Sequence, residues 1–271
     1  MGLAPLLDAY ENVILDLDGC VWVGTQPTRG AADAIAALRA GGRRLAFLTN
    51  DSRRSPEEYV RKLWGVGVRA SLAEVLTAGA ALQFALAGRP QRQGAFVIGS
   101  PALHRHVAEA GLRILNGSPR AERAEVVAVG GHDRLDYGEL RTATRALLAD
   151  AELIAADRDR VYPGEDGPQP GTGAIVAALE FATGRRASIV GKPERAMFAA
   201  ALDRFGGGRT LVIGDGLDSD LAGAAALGLD GALVLSGSTS EEQARAALAR
   251  AEGRPVPRAV ARDLHELVLG S

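Results

Sequence analysis

An unbroken apolar run near residue 13 ends in two aspartates one residue apart. Residues 13–15 (Val-Ile-Leu) show no polar alternation, which is typical of a parallel strand covered on both faces. Asp16 and Asp18 follow at the carboxyl end of that strand, where ligands collect in such sheets. Side chains two apart in an extended segment point the same way, and Gly19 lets the chain turn beyond them. The spacing therefore suits a nucleophile and a general acid that address one reacting group.

The segment from Asp16 to Gly19 is also compatible with a surface turn or part of a calcium loop. A calcium loop counted from Asp16 needs an oxygen ligand at its fifth position and a glutamate at its twelfth, where this chain has Cys20 and Pro27. The calcium loop is therefore excluded. The choice between a catalytic site and a structural turn depends on the rest of the chain.

The composition is that of an ordinary globular chain. It has 271 residues, 47% of them hydrophobic, and a formal net charge of −2, which suits one large domain or two moderate ones. No sustained basic block is present, so a nucleic acid polymer is not expected as a partner. No apolar run approaches the roughly 18 residues of a spanning helix, so we expect no membrane association and a cytoplasmic location. Cys20 is the only cysteine, which excludes an intrachain disulfide.

Buried-strand and helix patterns alternate along the chain. Strands are predicted at 45–48, 96–98, 126–129, 153–156, 188–190, 211–213 and 232–235, and helices at 30–39, 56–65, 102–110, 137–149, 174–183, 194–205 and 220–227. Ser71 is expected to open a further helical stretch that fades toward Gly88, and Thr239 to cap a later helix. This alternation favours a doubly wound parallel sheet, Rossmann-like, with an inserted α/β domain.

Two segments mark the domain organisation. The polar stretch from Gly88 to Gly94 contains glycine and proline and indicates a domain boundary. We predict a core domain of residues 1–87 and 185–271, and an inserted α/β cap domain of residues 88–184. The segment from Asp157 to Gly173 is long for a connection in a compact domain and is interpreted as a functional loop.

Four strand ends carry polar groups that suit phosphoryl transfer. They are Asp16 with Asp18, Thr49 with Asn50, Lys192, and Asp215 with Asp220. Asp16 is predicted to attack phosphorus and form an aspartyl phosphate, while Asp18 protonates the leaving alkoxide and later takes a proton from water. The attack brings an anion toward an anion, so the site needs positive charge such as Mg²⁺, which Asp16, Asp215 and the carbonyl of Asp18 could hold. Lys192 and the Thr49 hydroxyl would contact the phosphate.

Each of these residues also has an ordinary structural interpretation. Thr49 and Lys192 taken alone are compatible with plain turns, Asp220 with a helix cap, and Asp218 with a solvated surface. All the candidate groups fall just past a predicted strand and in one consistent order. That conjunction favours a catalytic site.

Four ordered motifs resemble those of the haloacid dehalogenase superfamily, in its NagD-like (type IIA) subclass. They are Asp16-Leu-Asp-Gly19, Leu48-Thr-Asn50, Val190-Gly-Lys-Pro193 and Ile213-Gly-Asp-Gly-Leu-Asp-Ser-Asp220. Residues 126–133, 137–140, 153–159 and 170–173 are similar to the C2-type cap of that subclass. The resemblance covers nearly the whole chain.

The resemblance implies a Mg²⁺-dependent phosphatase that hydrolyses small phosphomonoesters, such as polyol, sugar, glycolate or nucleoside phosphates, and 4-nitrophenyl phosphate in vitro. The implied roles are Asp16 as nucleophile, Asp18 as acid and base, Thr49, Asn50 and Lys192 around the phosphate, Asp215 on the metal, and Asp220 behind the metal ligands. In the cap, Asp157, Arg158, Asp159 and Thr172 are expected to select the substrate. The family often has Asn where Asp157 and Asp51 stand, and an extra carboxylate in the cap disfavours strongly anionic substrates such as phosphoglycolate.

Three other functions share parts of this pattern. A receiver-type signalling domain also joins a phospho-accepting aspartate to Mg²⁺, threonine and lysine, but it is far shorter and does not need an acid at the position of Asp18. A dehalogenase needs neither Asp18 nor the metal-site acids. A phosphotransferase or phosphomutase on the same core stays open. The expected partner is a small phosphorylated metabolite, and a homodimer also stays open.

Overall fold

The computed structural model describes residues 2–88, 93–164, 167–249 and 256–270. The chain divides into two compact units, a first unit of residues 1–49, 59–76 and 192–271 and a second unit of residues 50–58 and 77–191. The segment from Gly88 to Gly94, which the sequence predicts as a boundary, lies partly outside the described residues. The predicted domain bounds stay a prediction.

The described residues form the strands and helices that follow. The strands are β1 Asn12–Asp16, β2 Trp22–Val23, β3 Gln26–Pro27, β4 Arg44–Thr49, β5 Val75–Thr77, β6 Gly94–Ile98, β7 Arg113–Ile114, β8 Val126–Val129, β9 Glu152–Ala155, β10 Val161–Gly164, β11 Gly167–Pro170, β12 Ser188–Ile189, β13 Thr210–Gly214, β14 Asp230–Val234 and β15 Val260–Ala261. The helices are α1 Ala31–Ala40, α2 Pro56–Gly65, α3 Ala78–Ala87, α4 Pro101–Glu109, α5 Tyr137–Leu148, α6 Thr172–Thr183, α7 Arg195–Phe205, α8 Ala222–Ala226, α9 Glu241–Ala249 and α10 Leu264–Leu269.

The first unit is built on a six-stranded sheet in the order β15-β14-β13-β1-β4-β5. β1 lies at its centre and pairs in parallel with β13 and with β4. All five residues of β1 are buried, as expected of a strand covered on both faces. β4, the next strand of this sheet along the chain, lies on one side of β1, and β13 lies on the other. The strand order therefore reverses at β1, and ligands bind beyond the carboxyl ends of strands at such a point.

The second unit is built on a five-stranded sheet in the order β12-β9-β8-β6-β7, with parallel pairings throughout. Its core includes Phe96, Val127 and Leu153 from the sheet and Leu147 and Leu179 from α5 and α6. The strand predicted at 188–190 is β12, the edge strand beside β9. The predicted fold class, a parallel α/β core with a second α/β part, is confirmed.

The prediction that a helix begins after Ser71 is wrong about where the helix starts. Ser71 and Glu74 do form a reciprocal capping box, but the box opens a single turn of 3₁₀ helix. The buried strand β5 follows at once, and α3 begins only after Thr77, whose hydroxyl accepts the Ala80 N–H at 3.1 Å. A capping signal is local and does not fix how far the helix continues, because packing of the following residues decides that.

The segment from Asp157 to Gly173 is not an irregular loop throughout. β10 and β11 pair in an antiparallel hairpin within it, and α6 begins at Thr172 rather than at the predicted position 174. Residues 165 and 166, between the two strands, lie outside the described residues. Proline and glycine usually demote a segment from strand to loop, and a two-stranded hairpin tolerates them because each strand has a free edge.

Two predicted features after β13 also differ. The predicted helix at 220–227 is split into a π-type turn, Leu217–Leu221, and the short helix α8. Ser240, not Thr239, exchanges capping hydrogen bonds with Gln243 at the start of α9. In the part of the chain that the structure describes, no helix is long and apolar enough to cross a membrane.

Candidate active site

Asp16 ends β1 and lies buried at the carboxyl edge of the first unit's sheet. Its Oδ1 is 2.5 Å from the Nζ of Lys192. Burial raises the pKa of Asp16 well above its usual value, and the nearby charge of Asp220 adds to the shift while Lys192 opposes it. A buried acid with a shifted pKa, held beside a cation and surrounded by further acids, is a candidate for a catalytic role.

Lys192 is buried between two carboxylates. Its Nζ is 2.5 Å from Asp16 and 2.7 Å from Asp220, so the ammonium bridges them. The other oxygen of Asp220 accepts the Gly216 N–H at 3.0 Å, which the π-type turn brings close. Burial alone would lower the pKa of Lys192, but the carboxylates of Asp16 and Asp220 raise it above its ordinary value. The lysine is therefore a fixed positive charge.

Asp215 directly follows β13 and is also buried. Its Oδ2 accepts the Ser238 N–H, and its backbone carbonyl accepts the Thr239 hydroxyl at 2.5 Å. Burial and the charge of Asp220 raise the pKa of Asp215, and the Ser238 donors oppose the shift. Gly19, at φ +87°, lies so close that a Cβ there would collide with this carboxylate. The glycine after the Asp16-Asp18 pair is therefore required by both its conformation and its contact.

The three buried carboxylates form a candidate metal centre. Asp16, Asp215 and Asp220 each offer an oxygen, and these oxygens lie within 4.8 Å of one another. Hard oxygen donors are the ligands Mg²⁺ takes from proteins. Lys192 contacts two of the three acids, Asp16 and Asp220, and burial raises the pKa of Asp16 and Asp215. A divalent cation therefore fits the remaining negative charge. The sequence predicts Asp16, Asp215 and the Asp18 carbonyl as ligands with Asp220 behind them, and that division of roles stays a prediction.

Asp18 is half-buried and its side chain is held by two donors. The indole Nε1–H of Trp22 donates to Oδ1 at 2.8 Å, and the Thr49 hydroxyl donates to Oδ2 at 3.2 Å. Thr49 is the last residue of β4, so the parallel sheet itself brings its hydroxyl to the same edge as Asp18. The predicted phosphate contact of Thr49 stays a prediction.

The other predicted site residues belong to the second unit. Asn50 donates from Nδ2 to Asp159 Oδ2 at 3.0 Å. Asp157 accepts the Thr172 hydroxyl at 2.8 Å and the Asp159 N–H at 3.0 Å. Burial, with the neighbouring charge of Asp159, raises the pKa of Asp157 to about 8. These contacts hold together residues 157–159, which lead to the β10–β11 hairpin.

Arg158 makes a two-pronged ion pair inside the second unit. Its Nη1 and Nη2 donate to the two carboxylate oxygens of Glu180 on α6 at 2.9 and 2.7 Å. The same carboxylate accepts the Ala187 N–H. Arg158 thus has a structural contact, and its predicted part in substrate selection, like that of Asp157, Asp159 and Thr172, is untested.

Sequence reasoning missed the polar loop after β14 and the tryptophan beside Asp18. Ser238 and Thr239 hold Asp215, and the Ser236 hydroxyl donates to the Gly19 carbonyl at 2.6 Å. The available signal was positional: residues 236–239 follow a buried strand of the same sheet, as the recognised motifs do. For Trp22 no such signal exists, because a tryptophan after a turn is usually a core residue.

Comparison with known proteins agrees with this geometry. A family model of haloacid dehalogenase-like hydrolases matches residues 13–113, and a HAD-hydrolase-like model matches residues 189–267. Chronophin from Mus musculus is 34% identical in an alignment 278 positions long, which covers 99% of this chain and 95% of chronophin. Both of the matched regions contain acids of the candidate site.

Two solved structures are similar over most of the chain. The crystal structure of a glycerol phosphate phosphatase from Mycobacterium tuberculosis, in complex with magnesium, has a TM-score of 0.86 and 33% identity, covering 98% of this chain and 78% of that one. A p-nitrophenyl phosphatase from Archaeoglobus fulgidus has a TM-score of 0.84 and 30% identity, covering 97% of this chain and 99% of that one. The fold and the site thus define a hydrolase of phosphate esters. The chain belongs to the haloacid dehalogenase superfamily, in its type IIA, NagD-like group of phosphatases.

Proposed function

We propose that this protein is a Mg²⁺-dependent phosphatase that hydrolyses small phosphomonoesters through an aspartyl phosphate on Asp16. The observation that carries the proposal is the contact between Asp16 and Lys192, at 2.5 Å, inside a group of three buried acids. A nucleophilic carboxylate, a fixed cation and hard oxygen donors are the parts that phosphoryl transfer needs.

In the first step, an oxygen of Asp16 forms a bond to phosphorus and the bond from phosphorus to the leaving oxygen breaks. Lys192 lies 2.5 Å from Asp16 Oδ1, and in this proposal it binds a phosphate oxygen and offsets the charge of the approaching dianion. The proton carried by Asp18 passes to the leaving alkoxide, so the product departs as an alcohol.

In the second step, water attacks the phosphorus of the aspartyl phosphate. Asp18, now ionised, takes a proton from that water, and the bond between phosphorus and the Asp16 oxygen breaks. Inorganic phosphate leaves and Asp16 regains its carboxylate. The two steps together consume one water per ester and return both aspartates to their starting state.

Asp16, Asp215 and Asp220 supply the carboxylate oxygens that would hold or surround Mg²⁺. When bound, the ion neutralises charge on the phosphate oxygens and on the buried acids. The relatives' names support this assignment: the glycerol phosphate phosphatase was solved with magnesium.

The substrates are proposed to be small phosphomonoesters of the kind that the relatives' names state. Those names include glycerol-3-phosphate phosphatase from Gallus gallus and acid sugar phosphatase from Staphylococcus haemolyticus. The p-nitrophenyl phosphatase among the solved structures supports 4-nitrophenyl phosphate as a laboratory substrate. Substrate choice by Asp157, Arg158, Asp159 and Thr172 is part of the proposal.

The test is release of phosphate from 4-nitrophenyl phosphate. Activity is expected to require Mg²⁺, to vanish with a chelator and to return when Mg²⁺ is added back. Asp16→Asn should abolish it, because the variant lacks the attacking oxygen anion. Asp218→Asn is the matched control, since Asp218 is an exposed acid of the same segment as Asp215 and should leave turnover unchanged. Undiminished turnover in the folded Asp16 variant would contradict the proposal.

A further inference from the structure

We propose that Trp22 is a positioning residue for the general acid and base. Its indole N–H holds one oxygen of Asp18 throughout the reaction, so that the other oxygen exchanges between the Thr49 hydroxyl and the reacting oxygen. This inference rests on the proposed function, in which Asp18 transfers protons. It adds a residue that acts through its contact with the Asp18 side chain.

The two oxygens of Asp18 have unequal partners. Oδ1 accepts the Trp22 Nε1–H at the short distance of 2.8 Å. Oδ2 accepts the Thr49 hydroxyl at the longer distance of 3.2 Å. A hydroxyl rotates about its C–O bond to suit a new acceptor, whereas an indole N–H is fixed in the ring plane. When Thr49 turns its donor to a phosphate oxygen, Oδ2 becomes available and Oδ1 stays held.

The indole ring is buried and packed between other side chains. Trp22 is fully buried, and the Tyr59 ring stacks on it with 6.2 Å between centroids and an interplanar angle of 8°. The Lys62 ammonium lies 3.8 Å from the ring centroid of Trp22 and donates to the Gly24 carbonyl at 3.0 Å. Aromatic stacking and a cation over the ring both stabilise this orientation.

The backbone keeps the donor and acceptor in register. Gly19 donates its N–H to the Trp22 carbonyl at 2.7 Å, and Val21 donates to Leu17 at 2.8 Å, so residues 17–22 form a closed turn. Asp18 and Trp22 form an isolated β-bridge across it. The four-residue spacing between the acid and its donor is thus fixed by the turn that Gly19 permits.

A purely structural tryptophan would not need this partner. The chain contains two tryptophans, and the other, Trp64, donates its Nε1–H to the Ala70 carbonyl at 2.8 Å. A buried indole N–H such as that of Trp22 requires some acceptor. Trp64 is 63% exposed, and a backbone carbonyl suffices there. At Trp22 the acceptor is the carboxylate that moves protons, and losing the donor would free that carboxylate to rotate away from the line of proton transfer.

The test compares Trp22→Phe with Trp64→Phe. Each change removes one indole N–H from the first unit, but only Trp22→Phe removes a donor to Asp18. For Trp22→Phe we expect kcat for 4-nitrophenyl phosphate and for glycerol 3-phosphate to fall by roughly 10- to 100-fold, the scale of a misplaced catalytic group. The KM and the Mg²⁺ concentration for half-maximal activity should change little, and phosphate should accumulate on the protein. Trp64→Phe should match the wild type in all four measurements.

A second experiment leaves Trp22 in place and measures its fluorescence. In the Trp64→Phe background Trp22 is the only tryptophan, so its fluorescence reports on the Asp18 contact. Adding Asp18→Asn should shift the emission maximum, because the group facing the indole N–H loses its charge. Unchanged emission, or a Trp22→Phe kcat within about twofold of the Trp64→Phe control, would overturn the proposal, as would a fall accompanied by loss of Mg²⁺ affinity. If Asp18→Asn itself retains full turnover, the proposed function fails instead.

Discussion

Asp16 and Asp18 lie two residues apart, yet their surroundings differ. Asp16 is buried at 2.5 Å from Lys192, and Asp18 is half-buried between the donors of Trp22 and Thr49. A carboxylate beside a fixed cation is suited to attack an anionic phosphate, and a carboxylate with exchangeable partners is suited to give and take protons. The spacing alone leaves these two roles interchangeable, and the contacts support their separation.

Asp18→Asn should separate the two chemical steps. The variant keeps the nucleophile but loses the group that activates water, so the second displacement should slow by about 10²- to 10⁴-fold. 4-Nitrophenolate leaves with little protonation, so the first step is affected less. We expect a burst of nitrophenol of up to one per site, followed by a stall.

Rapid-quench measurement of nitrophenol, with mass spectrometry of the digested protein, checks this outcome. Phosphate should be found on the peptide that contains Asp16. Asp218→Asn provides the linear time course for comparison. A linear course without a labelled peptide, in an Asp18 variant that folds and binds Mg²⁺, would mean that the roles are assigned wrongly.

Some site residues could be predicted from the sequence and others could not. The difference is whether a residue acts through its side-chain type or through its backbone or orientation. Asp215 and Lys192 are visible in the sequence because each follows a predicted strand, in one consistent order with the other candidate groups. Ser238 contributes to the site through its backbone N–H on Asp215, and every residue except proline carries that group. Trp22 contributes through the orientation of its indole across the turn to Asp18, which its residue type alone does not predict.

At the scale of elements, the start of α3 depends on Thr77. Its buried hydroxyl accepts the Ala80 N–H at 3.1 Å, so Thr77→Ala should cost about 1 kcal/mol of stability and lower the melting temperature by about 2–4 °C. Thr77→Ser keeps the acceptor and should recover most of that loss. Ser71→Ala removes the cap of an exposed single turn, and we expect a smaller shift.

Thermal unfolding of the three variants, followed by circular dichroism, measures these differences. Equal shifts for Ser71→Ala and Thr77→Ala would contradict the assignment of Thr77 as the cap that matters. The comparison also explains the error made from sequence at this point. Both caps have the expected residue types, and only the burial of Val75 and Leu76 in β5 shows which of the two leads into a long helix.

At the scale of the whole molecule, the buried acid Asp157 should make stability depend on pH. The unfolded chain ionises an aspartate near its ordinary pKa of about 3.9, whereas burial raises the folded pKa of Asp157 to about 8. Between these values the folded protein binds one more proton than the unfolded chain. Its free energy of unfolding therefore falls as pH rises through this window, by at most about 1.4 kcal/mol per pH unit, and levels off above it.

Asp157→Asn should remove this dependence, because the amide stays neutral in both states. Urea unfolding from pH 5 to 9 is the measurement, and the difference between wild type and variant isolates Asp157 from the other carboxyls. The variant should gain stability relative to the wild type as pH rises. Parallel curves for the two proteins would show that Asp157 is ionised in the folded state across the range.

The overall architecture could be predicted only in part. Unbroken apolar runs such as 126–129 and 211–213 correctly predict buried parallel strands, because burial on both faces removes polar alternation. Such a run does not indicate which strand it pairs with, however. The pattern therefore could not assign each strand to one of the two sheets. β12, for example, joins β9 in the second sheet, and nothing in its two residues indicates which sheet it belongs to.

The central place of β1 also sets the order in which the site can form during synthesis. One of its two neighbours is β13, and Asn12 pairs with Thr210, 198 residues further along. At about 5–20 residues per second, the ribosome delivers that neighbour roughly 10–40 s after β1. Strands β6, β8 and β9 of the second unit are all made within that interval. A nascent chain can thus complete most of the second sheet while the strand that carries Asp16 still waits for its partner, and the reactive carboxylates stay apart until late in translation.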